Sequence, residues 1–296
     1  MSVVSDEKKN GSGDATKKRK ITAVGFNGVG DCNNLSDLEA GSIPLLPKQC
    51  KILLLDIEGC TTAISFVKDS LFPFVTSNLE TYLQSHKEDW NDLVKALKDD
   101  VTKLDNDHPA KIQIEADMTN NDNDQKAIIS IHVQGMMKFD VKAAGLKGLQ
   151  GKMWKSGYAS GELKGHVYSD FSFMLDWMKA NDVKVNIYSS GSIGAQKLLF
   201  GNSVSGDLCP YFHKHFDITT SGGKKEHTSY IKIAKDLDVE PSQICFVSDA
   251  EAELVAARKA GIGHVVMSVR PGNAPLTSVG KEFPIIYSLL QLCGSD

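Results

Sequence analysis

An open, doubly wound, mostly parallel α/β sheet carrying an inserted, mainly helical cap is the fold class that this 296-residue sequence predicts. Three observations lead there. Apolar runs without polar alternation recur along the chain, which is how strands buried on both faces read. Amphipathic helical stretches separate several of them, favouring crossover connections and a parallel sheet. The span from the first run, ending at Asp56, to the second, starting at Val183, is too long for one crossover, and an inserted lobe explains it economically.

Residues 1–48 are mostly Gly, Ser, Asp, Asn and Lys with short aperiodic apolar islands, and read as a disordered polar tail. Within it, Lys17-Lys18-Arg19-Lys20 reads first as a solvated basic patch and second as a nuclear import signal. Order begins at 51–56, where Lys51-Ile52-Leu53-Leu54-Leu55-Asp56 forms an apolar run ending in an acid. Helix-like spacing follows over 71–86, 90–97, 127–137 and 146–154, while Asn120-Asn121-Asp122-Asn123-Asp124 reads as a solvated loop. A helix over 170–180 leads into the second strand, 183–188, and a helix over 194–200 follows it. A helix at 228–237 precedes the third strand, 244–247; a helix at 251–260, stopped by Gly261, precedes the fourth, 264–269. The resulting division is a core of 49–67 and 181–296 with a cap over 68–180.

Composition narrows the function. A hydrophobic content of 41% suffices for a buried interior, and a formal charge of −4 gives no cationic field to gather nucleic acid or an anionic membrane. A small-molecule partner is the expectation. Six scattered cysteines without a CxxC pair fit a reducing compartment, and no run approaches the roughly 18 apolar residues of a membrane span. The chain is expected to be cytoplasmic, with the nucleus added if the basic cluster is read, and monomeric.

Four polar groups sit where strands end or helices begin, the place where ligands bind in such sheets. Asp56, at the tip of the first strand, is a candidate nucleophile towards phosphorus, with helix capping as the plain alternative; Glu58, two residues on, can reach the same point as acid and base. Tyr188-Ser189-Ser190-Gly191-Ser192 offers hydroxyls and N–H groups at a helix start, more than one N-cap needs. Ser221-Gly222-Gly223-Lys224-Lys225 brings cations on a glycine-rich loop; either lysine can neutralise phosphate, and Lys224, nearer the glycines, is preferred. Asp249 closes the third strand and, with Asp56, supplies the oxygen ligands that Mg²⁺ prefers.

That ordered set resembles the four motifs of haloacid dehalogenase-like hydrolases. A closer resemblance lies in Leu55-Asp56-Ile57-Glu58-Gly59, Ile64-Ser65-Phe66-Val67-Lys68-Asp69, Leu71-Phe72-Pro73, Leu149-Gln150-Gly151-Lys152-Met153-Trp154, Ile187-Tyr188-Ser189-Ser190-Gly191-Ser192, Ala195-Gln196-Lys197-Leu198-Leu199-Phe200-Gly201 and Val269-Arg270-Pro271-Gly272-Asn273. These are similar to the enolase-phosphatase family of methionine salvage, over about 51–287. The resemblance implies a Rossmann-like core, one Mg²⁺ per subunit, and conversion of 2,3-diketo-5-methylthiopentyl-1-phosphate to the acireductone 1,2-dihydroxy-3-keto-5-methylthiopentene. It further implies Asp56 as nucleophile and metal ligand, Glu58 as acid and base and as a ligand through its main chain, and Asp249 as the other carboxylate ligand. Ser189, Ser190 and Lys224 take the substrate-binding positions, Lys224 also serving catalysis.

The chain departs from that family where Cys60 replaces threonine and Ala63 replaces proline. Cys60 reads first as a small buried thiol and second as an oxidation-sensitive neighbour of the nucleophile. The segment 216–222 is one residue longer than the pattern, which keeps Lys225 in play beside Lys224. Trp154 and Tyr158 read as core before they read as a lining for a thioether chain, and His213 and His215 read as structural or exposed residues of an unpaired loop. Two other functions stay open: a phosphatase of another small phosphate ester, and an inactive phosphate-binding regulator.

Overall fold

A computed structural model describes residues 46–47, 50–119 and 124–294. The expected tail therefore lies outside the described residues except for Leu46 and Pro47, as do the basic cluster and residues 120–123 of the expected loop. Leu46 is buried in the core, so order starts before residue 48.

Six parallel strands form one sheet in the order β3-β2-β1-β4-β5-β6. They are β1 (Ile52–Leu55), β2 (Lys184–Ser189), β3 (Phe212–Asp217), β4 (Ile244–Ser248), β5 (His264–Ser268) and β6 (Ile285–Ile286). In β1, Leu53 and Leu55 point into one apolar cluster and Ile52 and Leu54 into another. In β4, Cys245 and Val247 likewise oppose Ile244 and Phe246. Burial on both faces is the reason these strands lack polar alternation. The chain leaves β1 towards β2 and β3, then returns to build β4, β5 and β6 on the other flank. The crevice at the carboxyl ends of β1 and β4 is thus the switch point at which such sheets place ligands.

Five helices stand between β1 and the next core element. These are α1 (Phe72–Ser85), entered through a π-turn at Val67–Leu71, then α2 (Trp90–Thr102), α3 (Pro109–Met118), α4 (Gln125–Lys138) and α5 (Ala144–Ser160). They bury Leu79, Leu83, Leu97, Ile129, Val133, Leu149 and Met153 in an apolar cluster of their own. Asp124, read as loop, is the N-cap of α4, its carboxylate accepting from Lys126 N and Ala127 N at 3.0 and 3.3 Å. Helix α3 has no counterpart in the expected elements because its apolar stripe is narrow, with only Ala110 and Ile114 buried.

Helix α6 (Ser169–Ala180), counted above with the cap, instead packs Phe171, Met174, Leu175 and Met178 into the core against the sheet. It is the crossover that feeds β2. The core is completed by α7 (Ile193–Gly201), the single turn α8 (Ile218–Ser221), α9 (His227–Asp236) and α10 (Glu251–Lys259). His213 and His215 lie on β3, not on an unpaired loop, and His215 Nδ1 is 2.9 Å from Gln196 Oε1. They serve the structure.

Candidate active site

Asp56 follows β1 directly, and its N–H donates to Val247 O at 3.0 Å, so the strand pairing with β4 extends up to the nucleophile position. Its carboxylate is 6% exposed. Oδ1 accepts from Ile57 N at 2.7 Å and Oδ2 from Ser248 Oγ at 3.1 Å. Lys224 Nζ lies 2.5 Å from Asp56 Oδ1 and 2.7 Å from Glu253 Oε2, and Ser248 Oγ, whose one proton serves either carboxylate, lies 2.8 Å from Glu253 Oε2. Four segments of the chain thereby close one buried polar ring: the end of β1, the end of β4, the loop after α8 and the first turn of α10.

The lysine loop folds this way for identifiable reasons. Gly222, at φ +104°, turns the chain after α8. Tyr188 OH and Tyr230 OH then donate to Gly222 O and Lys224 O at 2.7 and 2.6 Å. Lys224 is turned inward, 8% exposed and paired with Asp56, while Lys225 is exposed, a placement that favours Lys224. Burial alone would push the Lys224 ammonium down, yet Asp56 and Glu253 outweigh it and hold the pKa above its ordinary value.

Asp249 and Glu253 are the opposite case. Burial, then the charges of Asp56 and Glu253, push Asp249 up to about 7. Burial, then Asp56, push Glu253 to about 7 as well, against the pull of Lys224. Three carboxyl groups therefore share one lysine, and the excess negative charge is what a divalent cation would relieve. Among the described residues no cluster of three or more His, Cys, Asp or Glu side chains forms a complete metal cage. The donors at hand suit a hard cation that keeps waters: the Asp56 and Asp249 carboxylates, to which the main chain of Glu58 would add a carbonyl.

Gly59 brings Asp249 close. Its φ is +70°, and a Cβ there would lie 2.3 Å from Asp249 Oδ2 and 2.8 Å from Asn273 Oδ1. Asn273 Nδ2 donates to Gly59 O and Ser268 O at 2.9 and 3.2 Å, and Ser268 Oγ also donates to Gly59 O, at 3.2 Å. Arg270 Nε donates to Cys60 O at 3.3 Å while its guanidinium pairs with Asp170 at 2.7 Å. The Arg270–Asn273 stretch thus clamps the nucleophile's loop from β5. Cys60 is fully buried with its thiol 3.8 Å from Val247 O, and burial, reinforced by Asp56, drives its pKa far up. That removes the oxidation-sensitive reading.

A cavity of about 530 Å³ lies between the cap and the carboxyl edge of the sheet, where Ile57, Glu58 and Thr62 from the loop after β1 line it. Glu58 is exposed into it, and its pKa is raised by the surrounding protein and then by Asp56. Ser189, Ser190 and Ser192 line the same side. Ser189 Oγ accepts from Gly191 N at 3.2 Å, and Ser192 caps α7 by accepting from Ala195 N at 3.3 Å. Leu71, Phe72, Trp154, Tyr158, Leu198 and Leu199 make the remainder mostly apolar. Trp154 and Tyr158 belong to both the packing and the wall; Trp154 Nε1 donates to Leu71 O at 3.0 Å.

All six site residues expected from the sequence, Asp56, Glu58, Ser189, Ser190, Lys224 and Asp249, lie at this one edge of the sheet. Two were missed. Glu253 had a signal, an acid one helical turn beyond Asp249; Asn273 had none beyond its place in the Arg270–Asn273 stretch.

Comparison with known proteins agrees with the geometry. Residues 50–261 match the family model described as haloacid dehalogenase-like hydrolase. The chain is similar to "Enolase-phosphatase E1" of Xenopus tropicalis, 43% identical over 245 residues covering 80% of this chain and 92% of that protein. It is also similar to "Enolase-phosphatase E1" of Danio rerio, 41% identical with 83% and 96% covered. Among solved structures, the Unknown transcript 4 protein of Saccharomyces cerevisiae aligns with a TM-score of 0.58 at 36% identity, over 80% of this chain and 97% of that one. With an acid-tipped β1, an inward lysine and a capped cavity in place, the chain belongs to the haloacid dehalogenase-like hydrolases and, within them, to the enolase-phosphatase family.

Proposed function

We propose that this enzyme converts 2,3-diketo-5-methylthiopentyl-1-phosphate, by enolisation and then dephosphorylation, to the acireductone 1,2-dihydroxy-3-keto-5-methylthiopentene. The observation that carries the reading is the buried Asp56–Lys224–Glu253 ring beside Asp249, with a mostly apolar cavity bordered by Glu58 and Ser189 next to it. Asp56 and Asp249, with the main chain of Glu58, would hold one Mg²⁺, which supplies charge neutralisation for phosphate and for the developing enolate.

Glu58 stands over the cavity with a raised pKa, suited to taking a proton from C1 of the diketone, the carbon between the C2 carbonyl and the phosphate ester oxygen. In the second step an Asp56 carboxylate oxygen attacks phosphorus, the ester P–O bond breaks, and Glu58 returns the proton to the departing enol oxygen. Glu58 then takes a proton from the water that hydrolyses the aspartyl phosphate, freeing Asp56 and phosphate; the release of that proton restores the Glu58 carboxylate and balances the proton the C2 enolate oxygen takes up to complete the 1,2-diol. Lys224 holds the Asp56 carboxylate in place and offsets charge on the transferring group; Ser189 and Ser190 flank it. The apolar wall receives the thioether chain and keeps bulk water from the aspartyl phosphate.

The test is to supply the diketone phosphate with Mg²⁺ and follow enol absorbance and free phosphate together. Both signals should rise in sequence, and Asp56→Asn should abolish phosphate release. Phosphate without the acireductone chromophore would reject the bifunctional reading.

A further inference from the structure

The cap helix α5 turns Gln150, Trp154 and Tyr158 towards the cavity at four-residue spacing, one face of a helix. Their polar atoms differ. Trp154 Nε1 is committed to Leu71 O. The Tyr158 hydroxyl is sealed from solvent and without a partner. Gln150 is 5% exposed, its side-chain amide makes no hydrogen bond with any described residue and is not sealed from solvent, and what remains open of it belongs to the cavity wall. An amide that the protein leaves unpaired on a mostly apolar cavity wall keeps its donor free for whatever enters the cavity. On the same wall Lys138, Lys142 and Lys147 can gather an anion, but only Gln150 offers a neutral donor set back among apolar groups.

We propose that Gln150 is a specificity-determining residue whose Nε2–H donates to a carbonyl or enolate oxygen of the bound substrate, so that the cap distinguishes a phosphorylated diketone from phosphate esters lacking such an oxygen. The inference rests on the function proposed above. The phosphate end is held at the floor by Lys224 and Ser189 with the C2 oxygen towards the cation, which leaves the C3 keto oxygen facing the apolar wall. A site built around a polar group discriminates strongly against ligands that leave that group unpaired.

The experiment compares kcat/KM for the diketone phosphate and for p-nitrophenyl phosphate, with Mg²⁺, in the wild type, Gln150→Leu, Gln150→Glu and Ser156→Ala. In Gln150→Leu the ratio of the two should fall roughly 10- to 100-fold, mainly through KM for the diketone, with Tm not lowered, since no protein hydrogen bond is lost. Gln150→Glu keeps the shape and the acceptor but removes the donor, and should show the same fall even if the leucine variant fails to fold. Ser156→Ala, at an exposed position of α5 outside the cavity wall, should leave the ratio within about twofold. An unchanged ratio in both Gln150 variants, or equal loss on both substrates with a lowered Tm, overturns the proposal. A wild type that hydrolyses p-nitrophenyl phosphate but not the diketone instead rejects the substrate assignment on which it rests.

Discussion

The floor and the roof of the cavity solve opposite problems. At the floor, Asp56, Lys224, Ser248 and Glu253 are joined by contacts between 2.5 and 3.1 Å, so each polar group is held by another. On the roof, α5 presents an apolar stripe in which the Gln150 side-chain amide makes no hydrogen bond with a described residue and faces the cavity, while the Tyr158 hydroxyl is sealed off from it. The floor is fixed before substrate arrives, as transition-state stabilisation requires, while the roof keeps polar capacity in reserve for the ligand. Chemistry should therefore be lost by changes to the floor, and selectivity by changes to the roof.

The sharpest way to break this contrast is Lys224→Met. It leaves Asp56 and Glu253 buried without their cation, a loss of about 3–5 kcal/mol in stability together with a fall in kcat of roughly 10²–10³. Urea denaturation should show the deficit larger at pH 8 than near pH 5, because Glu253 and Asp249, at about 7 in the native protein, are protonated at the lower pH. Lys225→Met, at an exposed position, should change stability by less than about 0.5 kcal/mol. Equal effects of the two variants would mean that the buried ring does not hold the floor.

Gly59→Ala tests the same region through the backbone. A methyl group would meet Asp249 Oδ2 at 2.3 Å on a residue at φ +70°, at a cost of about 1–3 kcal/mol. Displacing Asp249 should also raise the Mg²⁺ concentration needed for half-maximal activity. Wild-type stability with wild-type Mg²⁺ dependence would show that the close approach has no consequence.

How much of the two regions could be read from the chain follows from which contacts are local. Strands β1 and β4 were visible because burial on both faces makes them continuously apolar, and each ends in the acid that the chemistry uses. Strand β3, Phe212–Asp217, was hidden: an edge strand with two histidines and a lysine does not look apolar. The direction of Lys224 depends on Tyr188 and Tyr230, and the position of Asn273 on the Gly59 carbonyl far back in the chain. Neither follows from spacing. Glu253 was within reach, since one turn of α10 carries it over Ser248. The unsatisfied state of Gln150 has no sequence signal, because an absent partner is a property of the packed cap.

A smaller effect separates the charge state of the floor from its geometry. Asp249 and Glu253 titrate at about 7, above the ordinary carboxylate range. Between about pH 4 and 7 the unfolded chain ionises while the native one keeps its protons, so this contribution to stability is full at the acid end and is lost as pH rises to about 7. Without a cation, Asp249→Asn should therefore flatten the fall in stability from pH 5 to pH 8. Because Mg²⁺ requires the ionised carboxylates, the rise in Tm that it produces should be larger at pH 8 than at pH 6. A Tm increment independent of pH would separate cation binding from these two groups.

The smallest effect is expected at Cys60, next to the nucleophile's loop and yet inert. The thiol is fully buried, with a pKa far above the ordinary range because burial and the Asp56 charge both oppose the thiolate. Since the thiolate is the reactive form, mass-spectrometric mapping after iodoacetamide should find Cys60 unmodified in the folded protein and modified after denaturation, while the half-buried Cys209 and Cys293 react first. Cys60→Thr, which supplies a hydroxyl of similar size next to Val247 O, should cost less than about 1.5 kcal/mol and leave the substrate ratio of the Gln150 experiment unaltered. Rapid labelling of Cys60 in the folded state would instead mean that the floor opens on the timescale of the reaction, and the division between a rigid floor and a ligand-completed roof would have to be redrawn.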